Sequence, residues 1–332
     1  MANVAVIGAG AWGTALAKLL ADKGNPTALW AHQGELAERI ERERQNTRYL
    51  PGVELPGSLR ATGDLDGALR DAELVVVVVP SHALREVVRE ARRHIPEGAL
   101  VCSATKGIEN DSLMLMSEVL VDELGREAEP RLSYLSGPSF AREVAAGQPT
   151  TVVVAGRSPR ETHAVQRMLA TDRFRVYSSD DVVGVEVGGA LKNVVAIAAG
   201  ICDGLGLGHN ARAGLITRGL AEIGRMAAAK GANPLTLAGL SGMGDLVLTC
   251  TGELSRNRTV GIEMGRGRKL EEILEGLGHV AEGVKTAKSA YDLADKLGVS
   301  APITVEVYRM LYEGKPPPQA VVDLMTRALT KE

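Results

Sequence analysis

The sequence predicts a doubly wound α/β domain over residues 1–181, followed by an all-α domain over 182–332. Three observations support this. Short apolar runs alternate with helical patterns through the first half of the chain, as βα units of a parallel sheet do. One of these runs, Leu74–Val79 (LVVVVV), is apolar on both faces, which a parallel sheet covered by helices requires. After about Asp181 the strand-like runs stop and long helical segments take over. A length of 332 residues fits two domains of ~150 residues each.

Taken in order, Val4–Ile7 reads as the first strand, Ala11–Lys23 as the first helix and Thr27–Ala31 as the second strand. Leu74–Val79 stops at Pro80, and Ser81 is placed to cap the helix that follows. Leu100–Ala104, Leu132–Ser136, Thr151–Ala155 and Arg173–Tyr177 complete the strands. Helices are expected over Val182–Gly200, Ala211–Lys230, Leu270–Leu277, Gly283–Leu297, Pro302–Tyr312 and Pro318–Thr330.

Composition narrows the class. The chain is 45% apolar and 24% charged, ordinary for a globular protein, and its net charge of −3 supplies no basic field for nucleic acid. Asn3–Ile7 reads as a strand rather than a signal peptide, and the apolar run Val187–Cys202 is too short for the ~20 residues of a membrane span. Cys102, Cys202 and Cys250 are few and scattered, which fits a reducing compartment, so a cytoplasmic protein is expected. No His, Cys or Asp grouping has metal-ligand spacing, and there is no Gly-x-Ser-x-Gly elbow for acyl transfer.

The chemistry begins at VAVIGAGAWGTALA, where Gly8-x-Gly10-x-x-Gly13 follows a strand and opens a helix. The three glycines allow a tight turn, close approach of a pyrophosphate and close helix–strand packing, so a dinucleotide and a Rossmann-like fold are expected. An NAD-specific site would place Asp or Glu at the end of the second strand. Here Ala31, His32 and Gln33 stand there, and Glu35 falls on the next helix. Without that carboxylate a 2′-phosphate is not repelled, so NADP as well as NAD is expected to serve. His32 could equally be a solvated loop residue.

In the second half, EVGGALKNVVAIAAGIC sets a single lysine, Lys192, into an otherwise apolar helix, with Asn193 beside it. Burying an ammonium disfavours its charged form, so such a lysine has its proton affinity lowered toward the working range, where it can give a proton to a carbonyl oxygen and take it back. On burial alone, replacing Lys192 by Met should leave stability unchanged or raise it.

Four polar clusters accompany it. ATKGIE puts Lys106 after a strand at the carboxyl edge of the sheet, where ligands bind in this architecture, and SGPSFARE puts Gly137 and Ser139 after another. LSGMGDLVLTCTGELSRNRTVG carries Asp245, Thr249, Ser255, Arg256 and Asn257 in a Gly-rich connection, and VAEGVKTAK sets Glu282 at a loop-to-helix junction. Plainer readings stand beside these: a solvated Lys106, a helix-capping Asp245, an exposed turn at Ser255-Arg256-Asn257, and a loop residue at His209.

Together these motifs resemble the NAD(P)-dependent glycerol-3-phosphate dehydrogenases of the soluble bacterial type, from Val4 to about Lys288. The resemblance implies interconversion of dihydroxyacetone phosphate and sn-glycerol 3-phosphate by a cytoplasmic homodimer serving glycerophospholipid synthesis. It implies that Lys192 is the proton donor and acceptor, with Lys106 and Asp245 also catalytic. It places Lys106, Gly137, Ser139, Lys192, Asn193, Asp245, Thr249, Ser255, Arg256 and Asn257 at the substrate, Arg256 with Ser255 and Asn257 holding its phosphate. It assigns Gly8, Gly10, Ala11, Trp12, Gly13, His32, Gln33, Tyr49, Lys106, Ala141, Arg256, Val280 and Glu282 to the cofactor. Two departures from the family pattern are Ala11, where Ser is common, and His32-Gln33, where a basic residue is usual. Two other readings compete: a 3-hydroxy acid dehydrogenase of the same architecture, and a non-catalytic NAD(P)-binding redox sensor, which would not need Lys192, Asp245 or Arg256.

Overall fold

The computed structural model describes residues 1–277, 281–329 and 331. The first half runs β1 (Val4–Ile7), α1 (Ala11–Asp22), β2 (Thr27–Trp30), α2 (Gly34–Glu43), β3 (Leu59–Thr62), α3 (Leu65–Leu69), β4 (Leu74–Val77), α4 (Leu84–Ala91), β5 (Leu100–Ser103), α5 (Met116–Leu124), β6 (Leu132–Ser136), α6 (Ala141–Ala145), β7 (Thr150–Ala155), α7 (Pro159–Leu169) and β8 (Phe174–Ser179). The second half holds α8 (Val182–Gly204), α9 (Gly208–Ala229), α10 (Asp245–Thr251), α11 (Arg256–Gly265), α12 (Leu270–Leu277), α13 (Glu282–Lys296), α14 (Pro302–Tyr312) and α15 (Pro317–Met325). An α/β sheet domain followed by helices is the architecture expected from the sequence.

The chain folds as two compact units, one of residues 1–106 with 114–186, the other of 107–113 with 187–332. The first carries one eight-stranded sheet of order β3-β2-β1-β4-β5-β6-β7-β8. Neighbouring strands are parallel except β6 and β7, an antiparallel pair that the sequence did not announce. Chain direction across the sheet reverses between β1 and β4, the position at which doubly wound sheets bind ligands. Val6, Leu29 and Val76 lie side by side there, each fully buried.

Several boundaries differ from expectation for local reasons. Leu74–Val79 is strand only to Val77, because Val78 turns its carbonyl to within 2.3 Å of where a Cβ on Gly8 would stand. Ser81 does not cap α4; it is buried at the start of a 3-10 turn, Ser81–Ala83, that precedes the helix. β3 escaped notice because it is short and alternates buried Leu59 and Ala61 with Arg60 and Thr62. The connection expected near Asp245 is helical, a π-turn over Leu240–Gly244 leading into α10 and then α11, with Leu246, Cys250 and Val260 fully buried.

α8 begins in the first unit, where Asp181 Oδ1 accepts from Gly184 N at 2.9 Å, and continues through the second from residue 187. It is longer than expected. Among the described residues it is the one helix long and apolar enough to cross a membrane, and 89% of its apolar window is buried inside the protein. It packs on α11 at backbone contact: a Cβ on Gly261 would stand 2.0 Å from the Ile197 carbonyl oxygen, and one on Gly200 would stand 2.1 Å from that of Arg258. Cys102, Cys202 and Cys250 are free and buried.

α14 is capped from a distance. The buried Glu222 accepts from Ile303 N at 2.7 Å, Thr304 N at 3.1 Å and Thr304 Oγ1 at 3.3 Å. Burial holds its carboxyl above the ordinary value of 4.5 despite these donors. The native state therefore keeps the proton to higher pH than the unfolded chain, and this group's contribution to stability falls as pH rises from about 4.5 through the native value. Wild type is expected to lose stability relative to Glu222→Gln across that window in denaturant titrations; a difference independent of pH would contradict this.

Candidate active site

At the glycine loop the turn after β1 needs Gly8, whose φ of +119° is unfavourable for other residues. Gly13 lies so close to it that a Cβ would stand 1.8 Å from the Gly8 carbonyl oxygen. Gly10 is different, because nothing lies within 4 Å of where its Cβ would be. Gly10 caps α1 without a side-chain hydrogen bond, and no acidic residue stands in the first turn. The main-chain amides of Ala11, Trp12 and Gly13 thus open the helix toward unfilled space, as an anion site does. Trp12 Nε1 is buried with no hydrogen-bond partner in the protein. A packed turn, an open glycine, an uncapped helix end and an orphan donor fit a dinucleotide.

A residue that no sequence pattern marked braces this loop. Asn46 is fully buried, and its Nδ2 donates to Ala9 O and Thr14 Oγ1, each at 2.8 Å. Its side-chain oxygen accepts from Tyr49 N at 3.2 Å. Tyr49 packs partly buried against the sheet core. His32 is exposed, edge-on to Trp30 at 5.8 Å, and Gln33 accepts from Arg48 Nη1 at 2.8 Å. Ala141 begins α6, which packs on α1.

Further along the same carboxyl edge, Lys106 Nζ donates to Gly137 O at 3.3 Å, and Ser139 Oγ donates to the same carbonyl at 2.9 Å. The expected trio Lys106, Gly137 and Ser139 is therefore brought together. Thr105 fixes the lysine's loop: its Oγ1 donates to Val79 O at 2.9 Å and accepts from Val79 N at 3.2 Å, tying the ends of β4 and β5.

In the helical unit Lys192 is 7% exposed and Asp245 1%. Lys192 Nζ forms an ion pair with Asp245 Oδ1. Thr249 Oγ1 donates to the Asp245 carbonyl at 2.6 Å and lies 3.4 Å from Oδ1, one helical turn on in α10. Asp245 is the first residue of α10 and makes no N-cap; Gly244 holds that position. Cys250 follows on the same helix, and burial pushes its thiol up to about 12, so it stays neutral. The lysine is as buried as its helix implied, but burial is not its whole environment. The carboxylate against it favours the ammonium that desolvation disfavours.

The neighbouring residues divide. Asn257 Nδ2 donates to Asn193 Oδ1 at 2.9 Å, and its oxygen accepts from Gly283 N at 2.9 Å, so α8, α11 and the start of α13 are joined through two buried amides. Ser255 caps α11, accepting from Arg258 N at 3.3 Å. The exposed turn considered for Ser255-Arg256-Asn257 is not found, since Ser255 and Asn257 are buried and only Arg256 is exposed. Arg258, unmarked in the sequence, grips Asp203 Oδ2 through Nε at 2.9 Å and Nη2 at 2.7 Å, holding the first turn of α11. Glu282 begins α13 at the expected junction, while Val280 lies outside the described residues.

A helix end shaped for a pyrophosphate and a lysine–aspartate pair kept away from bulk water suit a nicotinamide-dependent oxidoreductase, and that is the class the fold and these residues define. Profiles of the NAD-dependent glycerol-3-phosphate dehydrogenase N-terminus and C-terminus match residues 3–162 and 181–322, and the chain belongs to this family. It is 55% identical over 330 residues to the NAD(P)+ glycerol-3-phosphate dehydrogenase of Syntrophotalea carbinolica, covering 99% of each chain. It is 56% identical over 327 residues to that of Anaeromyxobacter sp. strain K, covering 98% of each. The crystal structure of glycerol-3-phosphate dehydrogenase from Coxiella burnetii superposes with a TM-score of 0.94 at 41% identity, over 98% of this chain and 99% of that one. A ketopantoate reductase from Ralstonia eutropha, 18% identical with a TM-score of 0.60 over 96% of this chain and 99% of its own, shares the fold alone.

The ion pair reverses the stability expected of Lys192→Met. Removing the amine leaves Asp245 buried without its counter-charge, and breaking such a pair costs ~3–5 kcal/mol. Lys192→Met is therefore expected to melt well below wild type, and Lys192→Met with Asp245→Leu to recover most of the loss. A single variant as stable as wild type would show that the pair contributes nothing.

Proposed function

We propose that this protein interconverts dihydroxyacetone phosphate and sn-glycerol 3-phosphate, with Lys192 supplying and retrieving the proton at the substrate's C2 oxygen. The observation that carries this reading is the buried Lys192–Asp245 pair, a charged couple with no structural need in an apolar helix. The nicotinamide dinucleotide of this family, when bound, supplies or accepts the hydride. Residues 1–181 are assigned to the dinucleotide and 182–332 to the substrate and its proton.

The remaining roles follow from chemistry at each position. Gly8, Gly10, Ala11, Trp12 and Gly13 would hold the pyrophosphate through main-chain amides and the Trp12 Nε1 donor. Ala11 offers no hydroxyl there. His32, Gln33, Tyr49, Ala141, Val280 and Glu282 are assigned to the rest of the dinucleotide by resemblance. Lys192 presents an ammonium where negative charge grows on the oxygen, and a fixed donor aimed at developing charge is usually the largest contribution to such a reaction. Asp245 holds the ammonium in place, and Thr249 holds Asp245. Asn193 and Asn257 set the spacing of α8, α11 and α13 around it. Lys106, Gly137 and Ser139 form a second polar group for the substrate at the sheet edge.

Arg256 is assigned to the substrate phosphate, at the start of α11 behind the Ser255 cap. Its exposure leaves the guanidinium available for two parallel hydrogen bonds to a phosphate, a geometry lysine cannot reproduce. Holding this non-reacting group orients the ketone for transfer. Resemblance extends the reading to a cytoplasmic homodimer serving glycerophospholipid synthesis.

The direct test is NADPH or NADH oxidation with dihydroxyacetone phosphate, against a 3-hydroxy acid pair as control. Turnover with the phosphate substrate and none with the acid is expected; nucleotide binding without turnover would favour a sensor. Arg256→Lys is expected to raise KM for dihydroxyacetone phosphate roughly tenfold, the loss of one charge-assisted hydrogen bond of ~1.5 kcal/mol. An unchanged kcat/KM would remove Arg256 from the phosphate.

A further inference from the structure

The end of β2 reads Ala31-His32-Gln33, with neither a carboxylate for a ribose hydroxyl nor an Arg or Lys for a phosphate. This strand end lies directly beside the glycine loop, since Gly8 N donates to Trp30 O at 3.0 Å. With a pyrophosphate at the loop, the adenosine ribose falls here. The segment after α2 is pinned to the same loop by Asn46, whose buried amide holds Ala9 and Thr14 at 2.8 Å.

Two residues on, Arg48 returns to the strand end. Its Nη1 donates to Gln33 Oε1 at 2.8 Å, and its guanidinium sits over the Tyr49 ring, 5.1 Å from the centroid. Both partners are uncharged. Glu35 stands exposed in the first turn of α2 but makes no ion pair with Arg48, which has no carboxylate partner among the described residues. A guanidinium held by an amide oxygen and an aromatic face keeps most of its five N–H donors and its full charge available. Arg70, by contrast, lies along the Asp66 carboxylate.

We propose that Arg48, oriented by Gln33 and Tyr49, recognises the 2′-phosphate of NADP(H) and sets the nucleotide preference of the chain. The cation absent from the strand end is thereby supplied from the loop that braces the glycine turn. This rests on the dinucleotide reading of the glycine loop. Arg48 is exposed, so substitution there leaves the packed turn and Asn46 untouched.

The test is equilibrium binding without substrate. NADPH, NADH, adenosine 2′,5′-bisphosphate and ADP are each titrated into wild type, Arg48→Gln and Arg48→Lys, with melting temperatures measured alongside. Arg48→Gln should weaken NADPH and the bisphosphate at least ~tenfold while NADH and ADP change less than ~twofold, and Arg48→Lys should fall between. Equal losses for all four ligands would make Arg48 a structural support of the loop and overturn the proposal. Unchanged NADPH affinity in Arg48→Gln, or no NADPH preference in wild type, would also overturn it. Wild type binding none of the four would overturn the dinucleotide reading itself, and this proposal with it.

Discussion

An ammonium inside an apolar helix needs a counter-charge within contact distance, and much of the helical unit is arranged to provide one. Lys192 can stay charged in α8 because Asp245 opens α10 against it, and Asp245 is held there by Thr249 one turn on. That placement needs a helix where a loop would otherwise leave the carboxylate free to reach water, and the π-turn over Leu240–Gly244 delivers it. α8 and α11 then meet at backbone contact through Gly200 and Gly261, which lets Asn193 and Asn257 bond directly and brings Ser255, Arg256 and the Asp203–Arg258 pair to one end of the same helix. Replacing the pair with apolar groups would satisfy packing as well. Under the proposed function, its presence in so dry a place serves proton transfer rather than stability.

Under the proposed function the sheet meets a different demand, that of presenting main-chain amides to an anion. β1 ends at a turn where Gly8 has a φ of +119°, α1 begins with no side-chain cap, and Asn46 fixes the loop through Ala9 O and Thr14 Oγ1. Thr105 does the comparable work at Lys106 by tying two strand ends together. In both places the segment proposed to meet a ligand is held by the hydrogen bonds of a buried polar neighbour.

Patterns that act locally were legible in the sequence. Gly8-x-Gly10-x-x-Gly13 announces its turn because each glycine answers a contact within a few residues, and α8 announces its burial because Lys192 interrupts an otherwise unbroken apolar run. The long-range pairings were not. Asp245 stands 53 positions from Lys192 and looked like a possible cap, so the lysine's environment was read as burial without a partner. Asn46, Arg48, Thr105 and Arg258 are ordinary surface-type residues in sequence, and their contacts come from neighbours that the fold supplies. α10 and α11 were obscured by the glycines around them, of which Gly261 and Gly265 pack against α8. β3 carries too few apolar residues to declare itself, and the antiparallel β6–β7 pair follows from a connection whose direction no periodicity encodes.

The account depends most on Lys192 as the proton carrier, and steady-state turnover of Lys192→Met with dihydroxyacetone phosphate tests it most directly. Measured at a temperature where the variant is folded and shown to bind nucleotide as wild type does, kcat should fall at least ~100-fold, and the pH profile of kcat/KM should lose the limb belonging to the amine. A folded, nucleotide-binding Lys192→Met protein that turns over within a few-fold of wild type would contradict the account.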